Sequence, residues 1–166
     1  AVSTGAKNCS TNAMNFSIPA DLRVIDINAD GFMDRIYAAD MGGQILRIDF
    51  DNITNTGVSN LADGYVIADL QRSSASAIPV AKDNRRFFFA PDVALFTKDV
   101  TQPFLSIAIG SGYRAHPLNI TIEDRFYLVQ DKAPFAKPGT YEDTYTEANL
   151  KDVTSDLTPD LTGFDG

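Results

Sequence analysis

Apolar residues in this chain gather in short runs separated by polar turns, and almost none of the runs carries a helical period. LRVIDI (22–27) is rich in β-branched residues, which pack well on a pleated surface, and it predicts a strand. RIYAAD (35–40) and QILRIDF (44–50) predict two more. MGG (41–43) lies between them, and two adjacent glycines suit a tight hairpin turn because Gly reaches φ > 0 without steric cost. Residues 22–50 therefore read as a three-stranded antiparallel meander. DINADGFMD (26–34) makes its first connection and MGG its second.

The pattern continues in the same style. DNITNTGVSN (51–60) is turn-rich, YVIADLQ (65–71) predicts a strand, and RSSASA after it reads as loop or strand edge. FFFAPDVALFT (87–97) is apolar but broken by Pro91, which cannot donate to a ladder, so a strand end or bulge is expected there. PFLSIAIGSG (103–112) reads as a buried strand entering a Gly-rich turn, and DRFYLVQD (124–131) as an alternating strand. Only YTEANLKDVT (145–154) suggests a turn of helix. QILRID and RFYLVQD resemble one another, each following a Gly-containing turn region and ending on Asp, which suggests two outer strands of four-stranded sheets. Many short strands with turns between them point to an all-β sandwich, barrel or propeller, and repeated meanders favour propeller blades. The expected organisation is an irregular segment over 1–21 with at most one short strand, propeller blades over 22–135, and a mostly looped acidic segment over 136–166. Two blades cannot close a ring, so this reading also expects a fragment of a larger domain.

Composition narrows the function classes. The chain has 166 residues, 44% hydrophobic and 22% charged, which is enough to bury a core. Its net charge of −8 argues against nucleic acid as a partner, since no basic surplus exists to displace counterions from phosphates. Anionic membrane surfaces are disfavoured likewise, and no apolar stretch approaches the roughly 20 residues that span a bilayer. Cys9 is the only cysteine, so it is a free thiol or bonds outside these residues. The start, AVSTGAKN, has neither initiator Met nor signal-peptide pattern, and the expectation is a processed or excised piece.

The acidity does suit a cation, and DINADGFMD has the chemistry for one. A calcium ion takes about 6–8 oxygens, and a looping backbone can turn alternate residues inward. Asp26, Asn28 and Asp30 occupy the first, third and fifth positions, and Gly31 permits the reversal. Phe32 would offer its carbonyl, and Asp34 would close the sphere directly or through water. Tyr37 stands where an EF-hand needs a bidentate Glu, and the flanks are strands, so the EF-hand proper is excluded. Three carboxylates against one divalent ion leave a charge near −1, and without metal they repel. Magnesium suits the loop less, because it holds its waters. The competing explanation is a solvated Asp/Asn turn.

Residues 26–50 also closely resemble the calcium-binding segment of the PilY family of type IV pilus biogenesis and adhesin proteins. The resemblance is carried by the Asp-rich loop, then Asp34, Arg35 and Tyr37, then Asp40 and Gly43, then the strand Leu46 to Asp49. Leu46 stands where the family often has Trp, which keeps the position apolar. FFFAPDVAL, IAIGSGYR, RFYLVQD and NLKDVT match later family segments in order, each weakly on its own. The resemblance implies a PQQ-enzyme-like β-propeller that is not itself an enzyme. Its implied place is the bacterial cell surface or pilus tip, by way of the periplasm or outer membrane. It implies Ca2+ held by Asp26, Asn28, Asp30, the Phe32 carbonyl and Asp34, and a calcium link to pilus extension and retraction, twitching motility and adhesion. Minor pilins, the pilus assembly machinery, and host-cell or surface ligands are the implied partners. Two other readings stay open: a fragment of a quinoprotein-like propeller enzyme, and an adhesion module whose calcium is purely structural.

Other signals favour plain explanations. GSG (110–112) lacks the P-loop spacing and lysine and reads as a turn. Ser111, His116 and Asp124 could be drawn as a triad, but no nucleophile elbow surrounds Ser111. Asn8, Asn15, Asn52 and Asn119 head glycosylation sequons that read as turn residues. The acidic tail reads as solvated linker, with a second cation site as a minor alternative.

Overall fold

A computed structural model describes residues 7–8, 14–50, 61–71, 80–97, 101–135 and 144–156. Cys9, the turn-rich 51–60, RSSASA and the last part of the acidic tail lie outside the described residues. The chain is all-β, and its described strands pair antiparallel in two sheets. The first has the order β1-β5-β4-β3-β2, from β1 (Lys7–Asn8), β2 (Arg23–Ile25), β3 (Arg35–Ala39), β4 (Gln44–Phe50) and β5 (Ala62–Asp69). The second has the order β6-β7-β8, from β6 (Asp92–Phe96), β7 (Phe104–Gly110) and β8 (Phe126–Asp131).

The expected meander is present as β2-β3-β4, with Arg23 opposite Tyr37 and Arg35 opposite Asp49. Strand β2 is shorter than its apolar run, because Asp26 and Ile27 already belong to the loop. Gly43 has φ +74, the left-handed conformation that the turn between β3 and β4 demands. Strand β6 starts directly after Pro91, so the proline marks a strand boundary as its missing N–H requires. Phe87 to Ala90 stay outside the strand, and the Phe87 N–H donates to the Asp40 carbonyl at 3.1 Å. One expectation is corrected: QILRID is not an outer strand, since β4 lies between β3 and β5. Among the described residues RFYLVQD is an edge strand, β8, but of a three-stranded sheet and not of the expected four-stranded one. The expected helical turn is a single 3-10 turn, Glu147–Asn149. Among the described residues no helix is long and apolar enough to cross a membrane.

One core joins the sheets. Tyr37, Ala39, Ile45, Tyr65 and Ile67 from the first pack with Leu105, Ile107, Ile109, Tyr127 and Val129 from the second, around Leu70 and Phe87. The other face of the first sheet is also covered. Ala38, Leu46 and Val66 form a smaller cluster under Ile18, and Met41 N–H donates to the Ser17 carbonyl at 2.9 Å. Strands β3 and β4 are therefore buried on both faces away from the loop, while toward the loop Ile36, Ile48 and Phe50 are only half-buried and the polar Arg35, Arg47 and Asp49 are the more buried face.

Candidate metal centre

The loop 26–34 connects β2 to β3, and its ends are fixed by the sheet. Asp34 N–H donates to the Ile25 carbonyl at 3.0 Å, and Phe50 N–H donates to the Asp34 carbonyl at 2.8 Å. The last expected ligand thus sits on three strands' worth of structure. The rest of the loop stands in solvent, with the Phe32 side chain 67% exposed.

Within the loop the acidic side chains organise the backbone. Asp26 Oδ1 accepts from Ala29 N–H (2.7 Å) and Asp30 N–H (3.3 Å), and Oδ2 accepts from Gly31 N–H (2.9 Å). Asn28 Oδ1 accepts from Asp30 N–H (2.9 Å), Asp30 Oδ1 from Phe32 N–H (2.8 Å), and Asp34 Oδ2 from Ile27 N–H (2.7 Å). Asn28 Nδ2 donates to Asp30 Oδ2 at 3.1 Å. This pattern ties Asp26, Asn28, Asp30 and Asp34 to the backbone of one winding loop. It needs left-handed backbone at Ala29 (φ 62) and at Gly31 (φ 90). A Cβ on Gly31 would meet nothing within 4 Å, so its requirement is conformational and not steric. Gly31→Val is expected to cost about 1–2 kcal/mol through this strain alone. The midpoint of urea unfolding in calcium-free buffer measures it, and an unchanged midpoint would show that the loop relaxes.

The donor set fits a hard cation, because it consists of oxygens. A carboxylate offers about four lone-pair sites, so the side chains that accept backbone N–H groups keep acceptor capacity for an ion. Among the described residues, however, no three His, Cys, Asp or Glu side chains converge as a metal-holding group. The loop's expected set is mixed, with an amide and a carbonyl beside the carboxylates, and its carboxylates are turned onto the N–H groups of the turn.

The other sequence candidates separate. Ser111 Oγ donates straight to Asp124 Oδ1 at 2.9 Å, while His116 lies against the Tyr113 ring, with centroids 5.0 Å apart. No histidine stands between serine and carboxylate, so the triad is not assembled. Ser111 and Gly112 N–H groups donate to the Arg125 and Arg86 carbonyls at 2.8 and 2.9 Å, which leaves GSG a turn and not a phosphate cradle.

Directly after the loop comes a feature that the sequence reading missed. Arg35 from β3, Arg47 and Asp49 from β4, and Asp131 from β8 are buried together. Arg35 Nε donates to Asp49 Oδ1 (2.7 Å), and Arg47 Nε to Asp49 Oδ2 (2.9 Å). Arg47 Nη1 donates to both oxygens of Asp131, at 2.7 and 2.8 Å. Tyr37 donates its hydroxyl to Asp131 Oδ2, and Arg35 Nη1 reaches the Pro134 carbonyl at 3.2 Å. Burial, and then the Asp131 charge, push the Tyr37 phenol far above its ordinary value, so it stays a donor. The cluster is neutral overall, and it fastens the two sheets to each other one residue from Asp34.

No protein-family model, no curated protein and no solved structure matches this chain.

Proposed function

We propose that this chain is the calcium-binding part of a PilY-like type IV pilus biogenesis protein, its sheets being blades of a larger β-propeller of the PQQ-enzyme type. In this reading Ca2+ is held by Asp26, Asn28, Asp30, the Phe32 carbonyl and Asp34. The ion would offset the repulsion of three carboxylates and fix β2 against β3. Calcium occupancy then controls pilus extension and retraction, and with them twitching motility and surface adhesion. The partners are minor pilins and the assembly machinery, together with host-cell or surface ligands. The place of action is the bacterial surface and pilus tip, reached through the periplasm and outer membrane.

One observation carries the calcium reading: the loop's oxygen side chains wind its backbone around themselves and end on Asp34, which is tied to both β2 and β4. The pilus reading rests on the sequence resemblance that begins with this loop. Calorimetric titration of calcium into the chain tests the first. Heat of binding is expected, and Asp34→Ala is expected to weaken affinity about tenfold or more, since a carboxylate of a three-carboxylate site is lost. Absence of both heat and thermal stabilisation at millimolar calcium would remove the site. The motility of cells carrying Asp34→Ala in the full-length protein tests the second. Loss of twitching is expected, whereas normal twitching with lost calcium binding would favour a purely structural ion, as the loop's attachment to three strands also allows.

A further inference from the structure

Across the end of the first sheet opposite to the loop, three polar side chains stand in a row. Asp40 follows β3, Gln44 opens β4 and Asp69 closes β5. Gln44 is the register partner of Asp69. Asp40 continues the pairing of β3 with β4, because its N–H donates to the Gln44 carbonyl at 3.1 Å. Directly paired residues project from the same face, so all three belong to one side of the sheet. That side is the one capped by Ile18 and its neighbours, away from the shared core.

None of the three reaches solvent: Asp40 is 0%, Asp69 1% and Gln44 4% exposed. Asp40 Oδ1 is satisfied, accepting from Gly42 and Gln44 N–H groups at 2.9 Å each. Its Oδ2 is buried with no hydrogen-bond partner, and so is Gln44 Oε1. Both are acceptors, so neither can satisfy the other. Buried polar atoms are rarely left so, and adjoining acceptors need something that brings positive charge or protons. The segment 14–20 that covers this face carries no ionisable side chain to supply it. The neighbouring segment 84–88 brings two arginines, but Arg85 is turned to the Leu70 and Glu123 carbonyls and to Glu147, and Arg86 lies over the Tyr113 ring.

We propose that Asp40, Gln44 and Asp69 form a second cation site, for a hard divalent ion such as calcium. Two carboxylates match the charge of a divalent ion, and the amide oxygen is a neutral ligand of the kind such ions accept. The site lies about 20 Å from Asp34, at about 3.3 Å per residue along β3, so it is separate from the loop. An ion there would clamp the β3–β4 turn to the end of β5. It goes beyond the pilus reading and does not depend on it.

Equilibrium dialysis of the whole chain against radioactive calcium tests the proposal. Asp40→Asn keeps the oxygen that caps the turn while removing the charge, and Gln44→Leu removes the unpartnered amide oxygen without opening a cavity. Each is expected to bind one ion fewer per chain than wild type, and Asp34→Ala one fewer from the other site. If the Asp34→Ala chain matches wild type while Asp40→Asn loses its ion, this site stands and the loop reading falls. Wild-type stoichiometry in both Asp40→Asn and Gln44→Leu, or no bound calcium in wild type, would overturn the proposal.

Discussion

Replacing Arg47 with leucine is expected to lower folding stability by about 3–5 kcal/mol, the range found when one partner of a buried ion pair is removed. Arg47 is fully buried and meets two carboxylates, Asp49 at 2.9 Å and Asp131 at 2.7 Å, themselves almost wholly buried. Desolvation alone would drive the guanidinium toward neutrality. The Asp131 and Asp49 carboxylates outweigh it and hold Arg47 above its ordinary value. Without Arg47 the cluster carries an uncompensated negative charge. Arg35 can offset part of it, since its Nη1 lies 3.7 Å from Asp131 Oδ2. The double variant Arg47→Leu with Asp131→Leu should therefore lose less than the sum of the single losses, by about 1 kcal/mol or more. Urea unfolding of the singles and the double measures this. A loss below about 1 kcal/mol for Arg47→Leu would show that water reaches the cluster and that the sheets are held by apolar packing alone.

The cluster shows where sequence pattern stops being informative. In QILRIDF the polar Arg47 and Asp49 alternate with Leu46 and Ile48, and alternation ordinarily separates core from solvent. Here it separates two interiors. Leu46 faces the small cluster under Ile18, while Arg47 faces the second sheet. The partner that makes Arg47 tolerable inside, Asp131, is 84 residues away on another strand, and local spacing carries no sign of it. Asp40 is a similar case. It was legible as part of a strand end and a turn, but its burial depends on the chain returning as 14–20 and 84–88 around it. By contrast the strand order β2-β3-β4, the turn at Gly43 and a break in the strand pattern at Pro91 follow from local chemistry and were readable, although the apolar run before the proline, Phe87 to Ala90, turns out not to be strand. The loop stands between these cases. Its ligand spacing is a local property and was legible in Asp26, Asn28, Asp30 and Asp34. The direction in which each oxygen points is decided by N–H groups that compete for it, and spacing alone does not rank those. Asp34 and Arg35 also make the loop and the ion cluster contiguous. A change at the loop's last residue is therefore applied directly to the strand that fastens the two sheets.

In metal-free buffer, Asp40→Asn is expected to be roughly 3 kcal/mol more stable than wild type at pH 7.5 and about equal to it at pH 4. Burial raises the Asp40 carboxyl from its ordinary 3.8 to about 6, partly opposed by the Gln44 and Gly42 N–H groups and assisted by the nearby Asp69 charge. The folded chain therefore holds this proton more tightly than the unfolded chain does. Stability must then fall as pH rises from about 4 to about 6 and stay flat above, because the unfolded state ionises first. A shift of about two units corresponds to about 3 kcal/mol, at 1.36 kcal/mol per unit. Asparagine avoids that cost while its Oδ1 still accepts from the two turn N–H groups at 2.9 Å, so the turn survives the change. Thermal and urea unfolding across pH 4–8, with chelator present, gives the difference curve between the two chains. The required shape is a gap that opens between pH 4 and 6 and then stops growing. A gap independent of pH would mean that Asp40 remains ionised throughout, and that a fixed positive charge stands beside it in the folded chain.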